Sequence, residues 1–251
     1  MTEGIRTEPP VEPAPRRSVL RCDGELLSCA TLVPSPGPAA DGRPAVVFLH
    51  GAGTSDKERF AALMGEVATR GHKALAFDFS GHGESSGALK ELSLRRRFRQ
   101  AQAVIDHHVP GDGGLVLVGF SMSGQTVADL AAHYGPRVAA VGLCAPAVYA
   151  SAAWPLPFGG GFTEVIRTPD SWRDSPALGV YATLTTRTVL ATPATDAVIP
   201  PAVTDAVAAA LAVRSRFTRL VLPEADHSLG LWFARNEASR RRFVDALVGD
   251  L

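Results

Sequence analysis

A chain of 251 residues with 46% hydrophobic content is long enough to bury one large core and falls within the range of a single α/β domain. Its 25 basic and 25 acidic residues cancel, and no basic stripe runs along a face, which disfavours nucleic acid and an anionic membrane surface as partners. The seven histidines include no His-x-x-x-His or His-Glu-x-x-His pair, so no metal site is expected.

Residues 1–17 are rich in Pro, Glu and Arg and lack an apolar run, so they read as a disordered tail rather than a signal peptide or anchor. Ser18 to Cys22 and Glu25 to Leu32 read as strands joined by a two-residue turn at Asp23-Gly24. That register sets Cys22 against Glu25 and Cys29 against Ser18, which argues against a Cys22–Cys29 disulfide. Three cysteines without metal spacing suit a reducing, cytoplasmic setting.

From Ala45 onward apolar strand runs alternate with helical stretches. Ala45 to Leu49, Lys73 to Asp78, Leu115 to Gly119, Val138 to Cys144, Thr188 to Ala191 and Arg219 to Leu222 are strand runs. Phe60 to Arg70, Leu94 to His108, Gln125 to His133, Pro200 to Val213 and Asn236 to Leu247 are helical. The alternation predicts a mostly parallel sheet covered by helices on both faces, with the N-terminal hairpin antiparallel at one edge. In the helix from Leu94, the residues Leu94, Phe98, Ala101 and Ile105 recur at helical spacing, so Arg95, Arg96, Arg97 and Arg99 are expected mostly on the solvated face.

Three strand ends carry candidate chemistry. Gly119-Phe120-Ser121-Met122-Ser123-Gly124 sets Ser121 on a tight strand-to-helix turn, where small neighbours allow a strained backbone and the hydroxyl projects above the sheet edge. A serine hydroxyl is a poor nucleophile until a histidine takes its proton and an acid orients that histidine. Asp196 follows the Thr188 run and His227 follows the Arg219 run, giving the order Ser, Asp, His. Ser123 is the competing serine of a shifted motif, but it lies on the first helical positions, where a hydroxyl caps amides. Asp226 and Asp205 are weaker acids: one adjoins the histidine it would orient, and the other lies within a predicted helix.

With that order and those positions the chain resembles the α/β-hydrolase superfamily from about Ser18 to Leu251. Val46-Val47-Phe48-Leu49-His50-Gly51-Ala52-Gly53 is similar to the family's His-Gly loop, and Asp78-Phe79-Ser80-Gly81-His82-Gly83-Glu84-Ser85 to its structural Asp-x-x-Gly-x-Gly-x-Ser loop. The resemblance implies an α/β-hydrolase fold, a Ser121–His227–Asp196 triad and an oxyanion hole formed by the amides of Ala52 and Met122. It implies structural hydrogen bonds for His50 and His82. Ser123, Ser80 and Thr192 depart from the family pattern, standing where glycine, arginine and glycine are frequent.

The resemblance lapses between Pro146 and Arg187. About forty residues separate two strands there, too many for an ordinary connection, and a small cap at about 146–187 is expected over the site. Tyr149, Trp154, Phe158, Phe162, Trp172 and Tyr181 all fall in it. Trp154, Phe158 and Phe162, extended by Trp232 beyond the histidine, are candidates to wall an apolar or aromatic substrate group. The resulting expectation is a cofactor-free serine hydrolase acting on a small-molecule carboxylic ester or related acyl compound. An acyltransferase or cyclase, a thioesterase, and a non-catalytic small-ligand binder are the alternatives; oligomeric state is left open.

Overall fold

The computed structural model describes residues 14–34 and 42–251. Strands are β1 (Arg16–Cys22), β2 (Glu25–Leu32), β3 (Ala45–Leu49), β4 (Ala74–Phe77), β5 (Leu115–Phe120), β6 (Val138–Cys144), β7 (Arg187–Pro193) and β8 (Arg216–Leu222). Helices are α1 (Ala61–Ala68), α2 (Leu94–His108), α3 (Ser123–Tyr134), α4 (Phe162–Arg167), α5 (Pro176–Thr183), α6 (Pro201–Leu211), α7 (Leu229–Arg235) and α8 (Glu237–Val248). The strands form one sheet in the order β1-β2-β4-β3-β5-β6-β7-β8. β2 pairs antiparallel with β1 and with β4, and every pairing from β4 to β8 is parallel.

The hairpin register sets Cys22 opposite Glu25 and Ser18 opposite Cys29. Asp23 and Gly24 both take positive φ (53° and 80°), the conformation a two-residue turn between twisted strands needs. All three cysteines are free thiols. β1 begins two residues before the expected strand start at Ser18, because Arg16 and Arg17 extend the ladder opposite Thr31 and Ala30. Residues 1–13 of that tail lie outside the described residues.

Alternation along the parallel strands divides the core in two. On one face Val47, Leu49, Leu115 and Leu117 pack with Ala101, Val104 and Ile105 of α2, Val127 and Leu130 of α3, and Val207 of α6. On the other, Val46, Phe48, Val116 and Val118 pack with Leu63 and Val67 of α1, Phe233 of α7 and Phe243 of α8. Strands apolar on both faces are what a doubly covered parallel sheet requires. The short helix α7 was not expected: it follows the His227 loop directly and is too brief to show a period of its own.

One sequence expectation is overturned in α2. Leu94, Ala101 and Ile105 are buried as expected, but the buried stripe also takes in Arg97 and Gln100, both fully inaccessible. Arg95 and Arg99 are the exposed members of the arginine run. The helix packs two polar residues inward because they bond the loops after β3 and β4, contacts that hydrophobic spacing does not reveal.

Residues 145–186 hold α4, α5 and two 3₁₀ turns, Ser151–Ala153 and Ser171–Asp174. Several side chains tie this segment to α3. Tyr181 donates to the Gly124 carbonyl, Gln125 accepts from the Tyr149 amide and the Ser175 hydroxyl, and the Trp154 indole donates to Asp129 at 2.9 Å. Among the described residues no helix is long and apolar enough to cross a membrane.

Candidate active site

Four loops converge at the carboxyl ends of the parallel strands, where open α/β sheets place their ligands. They follow β3 (His50 to Ala52), β5 (Ser121), β7 (Asp196) and β8 (His227). Ser121 has a φ of 50°, a conformation that costs a non-glycine residue free energy and is held by its surroundings. Its amide donates to Cys144, and its carbonyl accepts from the amides of Gly124 and Ala147, at 2.9–3.0 Å. Tight packing explains the flanking glycines. A Cβ on Gly119 would lie 2.6 Å from both the Ser123 carbonyl oxygen and Val127 Cγ2, and one on Gly124 would lie 2.6 Å from the Ala147 oxygen.

The three sequence-predicted side chains meet. His227 Nε2 lies 3.0 Å from Ser121 Oγ, and His227 Nδ1 lies 3.0 Å from Asp196 Oδ2. The carboxylate partner places the imidazole proton on Nδ1, which leaves Nε2 as the acceptor for the serine hydroxyl. The other Asp196 oxygen, Oδ1, accepts from the amides of Val198 and Ile199 at 2.8 and 3.0 Å. Partial burial pushes the Asp196 carboxyl up, but the His227 bond and the two amides outweigh it and hold the group below its ordinary value. The acid and base loops are bonded to each other as well, through Thr195, whose amide and hydroxyl both donate to the Ala225 carbonyl. Asp226 instead accepts from the Ser228 amide, and Asp205 pairs with Arg219 at 3.1 Å.

Around Ser121 lies an open cleft with an empty volume of about 460 Å³, walled by Gly51, Ala52, Arg59, Phe60, Phe120 and Leu229 among others. None of the described hydrogen bonds uses the Ala52 or Met122 amide. The loop bearing Ala52 presses on the serine, since a Cβ on Gly51 would sit 3.1 Å from Ser121 Cβ. His50 fixes that loop from behind. Its Nε2 accepts from the Phe79 amide at 3.0 Å, so Nδ1 carries the proton and donates to the Gly51 carbonyl at 2.7 Å. Burial, then the nearby Arg97 charge, pulls the His50 imidazole well below the ordinary histidine range and keeps it neutral.

The four candidate wall residues lie elsewhere. Phe158 and Phe162 meet with tilted rings at 4.7 Å within a separate apolar cluster that includes Leu94, Met122, Ala153 and Trp154. Trp232 packs against the core beneath α7. None of the four lines the cleft at Ser121. Sequence reasoning missed Arg59, Phe60 and Leu229, which line it; Phe120 stood inside the serine motif, where its alternation with Val118 could have placed it. Ser123 also differs from expectation. Its hydroxyl caps no helix amide; it is buried, donates to the His50 carbonyl at 2.6 Å and accepts from Arg97 at 2.7 Å. Among the described residues no cluster of three or more His, Cys, Asp or Glu is arranged to hold a metal ion.

Most of the chain superposes on solved hydrolase structures. It superposes with a TM-score of 0.70 on Est1E from Butyrivibrio proteoclasticus with ferulic acid bound, covering 93% of this chain and 100% of that one at 18% identity. For the thioesterase domain from the curacin biosynthetic pathway the values are 0.66, 90%, 98% and 17%. A predicted CIB-like hydrolase from Thermoplasma acidophilum gives 0.65, 93%, 97% and 19%. In sequence, 92 residues (35% of this chain) are 33% identical to the multifunctional-autoprocessing repeats-in-toxin proteins of Vibrio cholerae serotype O1 and Vibrio vulnificus. The match spans 2% of the length of those curated relatives. Residues 40–168, half of the chain, match the family described as serine aminopeptidase, S33. The chain belongs to that family, within the α/β-hydrolase superfamily.

Proposed function

We propose that the protein is a serine hydrolase that cleaves a carboxylic ester or related acyl compound through an acyl-enzyme. One observation carries the reading: the unbroken line Ser121 Oγ, His227, Asp196, with 3.0 Å at each step, built on a backbone turn strained at the serine. Ser121 Oγ attacks the acyl carbon while His227 Nε2 takes its proton. The proton then passes to the departing alkoxide, and the alcohol leaves. Water, deprotonated by the same nitrogen, attacks the acyl carbon, the bond to Ser121 Oγ breaks as His227 returns that proton to it, and the acid leaves. Asp196 keeps the imidazole in the required tautomer and balances its charge. The Ala52 and Met122 amides, unused elsewhere, are the proposed donors to the oxyanion. Every proton transfer is carried by side chains of this chain.

The cleft argues about substrate. Its wall presents Phe60, Phe120 and Leu229 together with Arg59, and among the described residues no Asp or Glu lines it. A protonated amine, as at a peptide N-terminus, would find no counter-charge there, so an ester with an apolar or aromatic group is preferred over an aminoacyl amide. Ferulic acid, bound by the Butyrivibrio protein of the same fold, is a carboxylic acid that carries such an aromatic group. In this proposal Trp154, Phe158 and Phe162, which cluster with Met122 next to the nucleophile, and Trp232, which packs on the core from α7, support the site rather than touch the substrate. Three free thiols suit a cytoplasmic location.

The test is a panel pairing p-nitrophenyl esters of increasing acyl size with a matched thioester and an aminoacyl p-nitroanilide. The reading expects turnover of the esters, little of the anilide, and a loss of roughly 10⁴-fold or more in Ser121→Ala. Anilide cleavage above ester cleavage would refute the substrate class. Unchanged ester turnover in Ser121→Ala would refute the mechanism.

A further inference from the structure

Arg97 is the least expected charge in the molecule. It is fully buried, and among the described residues no carboxylate lies within ion-pair distance of it. Among the described residues its Nε and Nη1 find no hydrogen-bond partner. Burial works against its charge and is offset in part by Tyr149, by the face of Phe79, 3.7 Å from its Cζ, and by the hydrogen bonds of Nη2. Folding stability alone does not favour such a placement, because an uncompensated buried cation costs more than an apolar side chain of similar volume.

What Arg97 touches suggests why it is there. Nη2 donates both to the His50 carbonyl, at 2.5 Å, and to Ser123 Oγ, and Ser123 Oγ itself donates to the same carbonyl. This triangle joins the loop after β3 to the helix that starts beyond Ser121. It fixes the His50–Gly51 peptide plane, while the His50 ring fixes the next plane by donating to the Gly51 carbonyl. In a trans peptide the N–H points opposite to the C=O. With the Gly51 oxygen turned inward to the ring, the Ala52 N–H is directed the other way, toward the cleft that Ala52 lines. Ser123 adjoins Met122, so the second proposed donor is tied to the same guanidinium.

We propose that Arg97 is a positioning residue that holds the two halves of the oxyanion site in register, a role that rests on the serine-hydrolase reading above. The buried Arg97–Ser123–His50 triangle aligns the Ala52 and Met122 amides for the transition state and contributes nothing to ground-state binding. Removing the guanidinium leaves no new orphan, since the His50 carbonyl keeps the Ser123 hydroxyl. Arg97→Met is therefore expected to match or exceed the wild-type melting temperature and yet to work more slowly.

The experiment compares Arg97→Met, Arg97→Lys and the exposed control Arg95→Met in ester kinetics, thermal melting, and inhibition by a trifluoromethyl ketone, whose serine adduct carries an oxyanion, against inhibition by the product acid. For Arg97→Met the proposal expects kcat to fall roughly 10- to 100-fold, below the 10²–10³-fold seen when a donor is deleted outright. KM and product inhibition should change by less than about threefold, and ketone affinity should fall in parallel with kcat. Arg97→Lys, which retains the charge and a single donor nitrogen, should lie between. Arg95→Met should match wild type. Kinetics of Arg97→Met within about threefold of wild type would overturn the proposal, as would a kcat loss matched by an equal loss of folded protein. If Arg97→Met fails to fold, the Lys variant decides by the same split between kcat and KM. Should Ser121→Ala retain full activity, the serine-hydrolase reading itself fails, an outcome separate from any result at Arg97.

Discussion

Asp196 presents its two carboxylate oxygens to different partners, and the division determines what an isosteric change does. Oδ1 is held by the Val198 and Ile199 amides and so must remain an acceptor. In Asp196→Asn the amide oxygen keeps that place, and the NH₂ group turns toward His227 Nδ1. The imidazole proton is then driven to Nε2, where it blocks transfer from Ser121. Ester turnover is expected to drop by roughly 10³- to 10⁴-fold with little change in melting temperature. Asp226→Asn, whose carboxylate accepts from the Ser228 amide and not from His227, should stay within a few-fold of wild type. Equal losses in the two variants would disprove the assignment of the acid. These residues were legible in the sequence because each follows an apolar run at a strand end. Arg97 was not: arginine in a run of arginines reads as solvated, and the carbonyl that receives it lies 47 residues away. The Ser123 hydroxyl was misread for the same reason, since its partners come from the loop after β3 and from α2 rather than from its own helix.

At the scale of elements, the turn between β5 and α3 depends on close approach. Gly119 has no need of positive φ; space alone excludes a side chain, because a methyl group would meet the Ser123 carbonyl and Val127 at 2.6 Å. Gly119→Ala should destabilise the protein by about 1–3 kcal/mol, as overpacking of a filled core does. For a domain of this size that is about 2–4 °C of melting temperature per kcal/mol. Ester turnover should fall as well, since the carbonyl displaced is that of Ser123, whose hydroxyl helps to hold His50. A melting temperature within about 1 °C of wild type would show that the turn relaxes at no cost. The segment between β6 and β7 was the least legible element. Its aromatic residues are chemically informative, but whether a ring faces substrate or a neighbouring ring depends on tertiary contacts such as Trp154 to Asp129 and Phe158 to Phe162.

On the scale of the whole molecule, strand and helix alternation was sufficient to predict the doubly covered parallel sheet and its antiparallel edge, because period and order are properties of the sequence itself. The acid sensitivity of the fold was hidden, since it arises from burial. His50, His72, His82 and His108 are all pulled below the ordinary histidine value of about 6.5, in each case chiefly by burial. The unfolded chain therefore takes up protons below about pH 6.5 that the native state refuses, and the stability present above that pH is lost as pH falls toward the native values. His50 alone contributes a slope of up to about 1.4 kcal/mol per pH unit in that window. Asp196, held below its ordinary value, acts in a lower window: its contribution is complete above about pH 4 and disappears as pH falls through its native value. Melting temperature should decline steadily from pH 7 to pH 5, and a flat profile would contradict neutral burial of these rings. The claim that Ser121 is the nucleophile is tested most directly by intact-mass analysis of the protein after reaction with a fluorophosphonate, followed by peptide mapping. The account predicts a single adduct on Ser121 that is absent in Ser121→Ala and persists in Ser123→Gly. An adduct on Ser123, or one that persists undiminished in Ser121→Ala, would contradict it.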